Sequence, residues 1–181
     1  MIKDFNELLQ KVKEARRGTV VIAAAQTESV LDAAILAKQE SLAESILVGD
    51  AKAIRELLQR MAPEHLKSFE IIDTGTDLVQ AAKSSVALVQ ENKGDIILKG
   101  KTDTSMLLRA VLDKEKGLRT SDVNSDVLAY EHPDGIKLMS DGGINLLPEL
   151  TEKIAIIKNA VQVAHYLGNP NPKVAILSAV E

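Results

Sequence analysis

Two lysines, three hydroxyls and one arginine crowd into the stretch KGKTDTSMLLRA, which runs from Lys99 to Ala110 and contains Lys99, Gly100, Lys101, Thr104, Ser105 and Arg109. Ammonium, guanidinium and hydroxyl groups at this density are the donors a phosphate or carboxylate oxygen requires. Charge-assisted hydrogen bonds of that kind contribute roughly 1.5–3 kcal/mol each when water is excluded. At about 100° per residue, a helix starting at Thr104 puts Met106, Leu107, Ala110 and Val111 on a buried arc, and Ser105, Arg109 and Asp113 on one polar stripe. Helical side chains lean toward their own N-terminus, so Arg109 is expected to reach back toward Lys101, Thr104 and Ser105. The plainer alternative is an i, i+4 pair of Arg109 with Asp113 on a wet surface, worth about 0.3–0.5 kcal/mol. Seven basic and four acidic side chains between Lys93 and Arg119 make this segment positive within a chain of net charge −4.

Other constellations carry less. Gly100-Lys101-Thr102 is not a nucleotide-binding P-loop, because the required earlier glycine is replaced by Asp95. Gly49-Asp50 reads as a strand-ending glycine followed by a helix cap. Asp141-Gly142-Gly143-Ile144-Asn145 offers close backbone approach flanked by polar side chains, with a flexible turn as the alternative. Ser178 stands near the end of a last apolar run, where a site residue could sit. His65, His132 and His165 have no ligand spacing, and cysteine is absent, so a metal site and a thiol nucleophile are not expected.

The elements that must position these groups follow from hydrophobic pattern. TVVIAAA (19–25), SILVGD (45–50), FEIID (69–73) and DIILK (95–99) are continuous apolar runs, and each precedes a helical pattern. Continuous rather than alternating runs mark strands buried on both faces, hence an α/β fold with a mostly parallel sheet in three layers. A parallel sheet collects ligands at the carboxyl ends of its strands, which is where KGKTDTS lies. MIKDFNELLQKVKEARR reads as an amphipathic surface helix, with Asp4 as cap, Glu7 in the first turn, and Phe5, Leu8, Leu9 and Val12 packing on the body. After residue 120 the pattern changes. A hairpin about Pro133-Asp134-Gly135 precedes a helix with Leu150, Ile154, Ile157, Val161, Ala164 and Leu167 on one stripe, Pro148 in its first turn and Gly168 at its end. KVAILSAVE then reads as a new buried strand, which calls for further chain or a partner to cover it.

Composition bounds the class. With 45% hydrophobic and 27% charged residues the chain has the balance of a soluble globular protein. Aromatics at 2% and a negative net charge argue against nucleic-acid binding. An N-terminus without an apolar core, and no apolar run approaching about 18 residues, argue against a signal peptide and a membrane span. The expected location is the cytoplasm.

Taken together and in order, ILVGD (46–50), NKGDIILKG (92–100), the Thr104-to-Arg109 spacing, SDGGINLLPEL (140–150), IKNAVQVAHYLG (157–168) and NPKVAILSAVE (171–181) make a chain that resembles the phosphate acetyl/butyryl transferase family, and within it the phosphate butyryltransferases in particular. The resemblance implies a two-domain α/β architecture like that of isocitrate and isopropylmalate dehydrogenases. Residues 1–122 would form the first domain, and 123–181 would begin the second. It implies reversible transfer of an acyl group between coenzyme A and inorganic phosphate, with no metal or redox cofactor; the uncovered final strand favours a homodimer. Arg109 would bind phosphate or acyl phosphate as the catalytic cation. Lys99, Gly100, Lys101, Thr104 and Ser105 would supply further donors, and Asp141, Gly142, Asn145 and Ser178 would shape the substrate side. Family members run well past KVAILSAVE, so the resemblance places the aspartate proposed as general base outside this chain. The competing expectation is a noncatalytic family member that binds an anion or assembles with another chain. A dehydrogenase sharing the fold is the weaker third, since no GxGxxG follows any of the strands.

Overall fold

The computed structural model describes residues 1–120 and 123–177. Contacts divide the chain into two units, one of residues 12–120 and one of residues 1–11 with 121–181. The first eleven residues therefore group with the later unit, whereas the sequence reading assigned them to a domain of residues 1–122.

The unit of residues 12–120 is built on four parallel strands, β1 (Gly18–Ala23), β2 (Ala43–Gly49), β3 (Glu70–Asp73) and β4 (Ile96–Lys99), in the spatial order β3-β2-β1-β4. Val20 lies opposite Ser45 on one side and Ile96 on the other, and Ala23 lies opposite Val48 and Lys99. Helices α2 (Glu28–Gln39), α3 (Ala51–Met61), α4 (Leu78–Gln90) and α5 (Thr104–Val111) cover the sheet. Ile22 and Leu47 pack with Leu31, Ile35, Ile54 and Leu58 on one face. Val21, Ile46 and Val48 meet Ala81 and Leu88 on the other, where Ala23 also joins Ala82 and Leu107. This is the three-layer arrangement that a near-continuous apolar strand demands. Right-handed crossovers explain the helix distribution: the path moves outward through β1, β2 and β3 with helices on one face, then returns to β4 with helices on the other.

Caps set the helix starts. The Asp50 side chain accepts from the Lys52 and Ala53 amides, and that of Asp77 from the Val79 and Gln80 amides. Each such cap contributes about 1 kcal/mol. The cap reading of Gly49-Asp50 is thus the structural one.

In the other unit, β5 (Leu128–His132) and β6 (Gly135–Met139) form the antiparallel hairpin, with Gly135 at φ +106° turning the chain. Helix α6 (Leu150–Tyr166) is capped by a reciprocal pair in which Glu149 is the N-cap and its amide donates to Glu152 Oε2 at 2.7 Å. Pro148 therefore precedes the cap rather than occupying the first turn. At the other end Gly168 (φ +78°) donates to His165 O and Asn169 donates to Ala164 O, the paired bonds of a Schellman motif. The Ile2 amide reaches Leu167 O at 3.0 Å, and the Phe5 amide reaches Glu131 Oε1, which ties the first residues to α6 and the hairpin.

Three expectations change here. Helix α1 (Phe5–Glu14) has its cap at Asp4, whose carboxylate takes the Glu7 amide, but none of its residues is buried. On α6, Ile156 and Ala164 are buried while Leu150 and Ile154 are exposed, because the helix carries apolar side chains around more than one face and the hairpin covers only one. Residues 173–177 form no strand, and Ile176 and Leu177 are exposed by 77% and 86%. They pair with none of the described strands.

Candidate functional site

The turn after β4 is pinned to the end of β1. The Gly100 amide donates to Ala23 O and the Lys101 amide to Ala24 O, both at 2.8 Å. A Cβ on Gly100 would collide with the carbonyls of Ala23 and Ala24, so only glycine lets the two backbones meet. Lys99 Nζ donates to Thr102 O at 3.1 Å, and Thr102 is 2% exposed. Two amides and one ammonium of the expected anion site are therefore taken up in shaping the turn. What stays open is the Lys101 side chain and the first turn of α5. Asp103 is its N-cap without a side-chain hydrogen bond, and the amides of Thr104 and Ser105 have no acceptor among the described residues.

Topology gives this opening a counterpart that the sequence did not reveal. Helix α2 begins after β1, and its N-cap Thr27 also makes no side-chain hydrogen bond. Strands β1 and β4 are neighbours, and the strand order reverses between them. Of the four α-helices covering the sheet, the two with open N-caps are thus the two that flank the reversal, where doubly wound sheets hold ligands and where helix amides favour anions. The same rim holds Gln26 Oε1, after β1, and Thr74 Oγ1, after β3, both buried without a partner among the described residues. Buried polar atoms are ordinarily satisfied, so these two set the rim apart.

Arg109 lies elsewhere than expected. It lines a groove of about 760 Å³ between α4 and α5, together with Val79, Lys83, Val86, Met106 and Asp113, whereas none of Lys99, Gly100, Lys101, Thr104 or Ser105 lines it. The i, i+4 pair with Asp113 does not form among the described residues. The Asp113 carboxylate instead accepts from the amides of Lys116 (2.8 Å) and Glu115 (2.9 Å), which hold its carboxyl below the usual range. The arginine is left without an ion pair or hydrogen bond among the described residues.

The Asp141–Asn145 loop is knitted rather than loose. Asp141 Oδ1 accepts from the Gly143 and Ile144 amides at 2.9 and 2.8 Å, and Oδ2 accepts from the Asn145 amide and side chain. The Gly142 amide donates to Asp126 Oδ1 at 2.6 Å, and Asn145 Nδ2 donates also to Asn124 O. Burial alone would raise the Asp141 carboxyl. The Gly143 amide, the Asp126 and Asn145 side chains and the Ile144 amide outweigh it and hold the carboxyl well below the usual range. The Asp141 carboxylate, the Gly142 amide and the Asn145 side chain are thus engaged within the loop or with Asn124 and Asp126. Ser178 lies outside the described residues. Of the histidines, His65 meets Ser68 and Gln39, and His132 sits beside Asp134. No cluster of three or more His, Cys, Asp or Glu among the described residues is placed to hold a metal ion.

Four parallel strands covered on both faces, with open-ended helices at the reversal of strand order, define a doubly wound α/β protein. Residues 67–181 match the family model for Phosphate acetyl/butaryl transferase, and the chain belongs to that family. It is 42% identical over its whole length to phosphate butyryltransferase of Clostridium acetobutylicum, and spans 60% of that protein. It is 33% identical to phosphate acetyltransferase of Thermotoga maritima over 96% of this chain and 60% of the relative. Among solved structures, a branched-chain phosphotransacylase from Enterococcus faecalis V583 superposes with a TM-score of 0.75 at 30% identity, over 90% of this chain and 56% of that one.

Proposed function

We propose that this chain acts as a phosphate acyltransferase, exchanging a butyryl-like acyl group between coenzyme A and inorganic phosphate. The observation that carries the reading is the family match joined to 42% identity with a butyryltransferase along the full chain. In the acyl-phosphate-consuming direction the coenzyme A thiol, relieved of its proton by a general base, attacks the acyl carbonyl. The C–O bond to phosphate breaks, and cationic groups stabilise the departing phosphate. Arg109 is the proposed cation for that phosphate. Lys101 and the open first turn of α5 at Thr104 and Ser105 would offer donors to the substrate at the sheet rim, outside the groove that Arg109 lines, and Lys99 and Gly100 would act by holding the turn against β1. Asp141, Gly142 and Asn145 would shape the acyl or coenzyme A side through their loop. The exchange needs neither metal nor redox cofactor, and a cytoplasmic homodimer goes with it.

The test is coenzyme A release from butyryl coenzyme A on adding phosphate, with Arg109→Ala beside the parent chain. Phosphate-dependent release that falls by about 10²-fold in the variant is the expected outcome, the scale of removing one charge-stabilising donor. A second reading, anion binding without turnover, draws support from Arg109, unpaired among the described residues in its groove, and from the open first turn of α5. No release from either protein would favour it. Comparing butyryl with acetyl substrate tests the acyl preference, where each methylene discriminates by about 1–3 kcal/mol.

A further inference from the structure

Helices α4 and α5 are almost free of charge. Lys83 is the one charged side chain within α4, LVQAAKSSVALVQ, and Arg109 is the one within α5, TSMLLRAV. Both are cations, and both line the same groove between these helices. We propose that Lys83 is a second binding residue for the phosphate group that Arg109 holds, so that the anion is gripped from two helices rather than one. This rests on the reading of Arg109 given above and adds to it a residue from another element.

The surroundings fit a doubly charged oxyanion. Lys83, like Arg109, has no ion pair or hydrogen bond among the described residues, although it is near enough to Asp113 to help lower that carboxyl. Three cations, Lys83, Arg109 and Lys116, face two carboxylates, Asp113 and Glu115, around the groove. Asp113 is already engaged by two backbone amides, which leaves Glu115 as the opposing charge not so engaged. Val79, Val86, Met106 and Ala110 share the lining with the cations, and less polarisable surroundings strengthen attraction to an anion. A planar guanidinium and a compact ammonium are complementary grips for a phosphate, one forked and one a point charge.

Inorganic phosphate is titrated into the 181-residue chain at constant ionic strength, with backbone amide NMR shifts as the readout. Lys83→Gln, Lys83→Arg, Arg109→Gln and the remote control Lys52→Gln are compared. Phosphate is expected to shift amides of α4 and α5, Lys83→Gln to weaken its affinity by about five-fold, Lys83→Arg to restore it, and Lys52→Gln to leave it unchanged. Lys83 is exposed, and the amide spectrum itself reports whether each variant is folded. Unchanged affinity in Lys83→Gln with a loss in Arg109→Gln overturns the role of Lys83 and leaves Arg109 standing. Unchanged affinity in both, or no binding by the parent chain, overturns both. A parallel titration with adenosine 3′,5′-bisphosphate separates sources of phosphate: groove shifts with it and none with inorganic phosphate would assign the groove to a nucleotide phosphate and overturn the proposal.

Discussion

Asp141 shows how a residue chosen for chemistry can be read first as architecture. Its carboxylate accepts three backbone amides and one side-chain amide from its own loop, so its ionised form is built into the fold. Because the folded carboxyl is held below its unfolded value, its contribution to stability is complete above the ordinary carboxylate pKa of about 4 and is lost as pH falls through that value toward the folded one. Asp141→Ala is expected to cost about 1–3 kcal/mol at neutral pH and to have a shallower decline in urea midpoint below about pH 5 than the parent chain. Urea titrations across pH check both, and parallel declines in the two proteins would count against the loop network as the cause. Arg109 makes the complementary point. Its stripe on α5 was legible from spacing, but its neighbour Lys83 was not, since nothing local in a sequence brings α4 alongside α5.

At the scale of elements, open and closed helix starts differ in what their caps do. Asp77 closes α4 with two hydrogen bonds, whereas Asp103 begins α5 with none from its side chain. Asp77→Ala is expected to destabilise the protein by about 1 kcal/mol and Asp103→Ala by less than about 0.5 kcal/mol, measured by thermal or urea unfolding. Equal losses would mean that Asp103 caps after all. The strands after Thr19, Ser45, Phe69 and Asp95 were readable because sheets covered on both faces need unbroken apolar runs, and the hairpin because Pro133-Asp134-Gly135 demands a turn. KVAIL matched the same pattern yet makes no strand in its described part, because a strand also needs a partner strand brought alongside it, and that requirement is not local. Strand order was equally hidden, and with it the pairing of the α2 and α5 starts across the reversal.

For the whole molecule, the exposed apolar surface is the chief feature. Leu146 and Leu147 are exposed by 84% and 91%, Leu150 lies just beyond them, and on β4 Ile96 and Leu98 are uncovered at the sheet edge. Single exposed leucines are common, but neighbours in sequence at this exposure favour association with apolar surfaces. A Leu146→Ser, Leu147→Ser double variant is expected to lower binding of a hydrophobic dye and concentration-dependent association in sedimentation, with stability changed by no more than about 0.5 kcal/mol. Undiminished association would move attention to the β4 edge.

The hydrogen bond from Ile2 to Leu167 carries a consequence for synthesis. Residues 12–120 are contiguous, so their sheet can close as soon as they leave the ribosome. Residues 1–11 must stay unattached until α6 emerges, and only then does Ile2 find the carbonyl that fastens it.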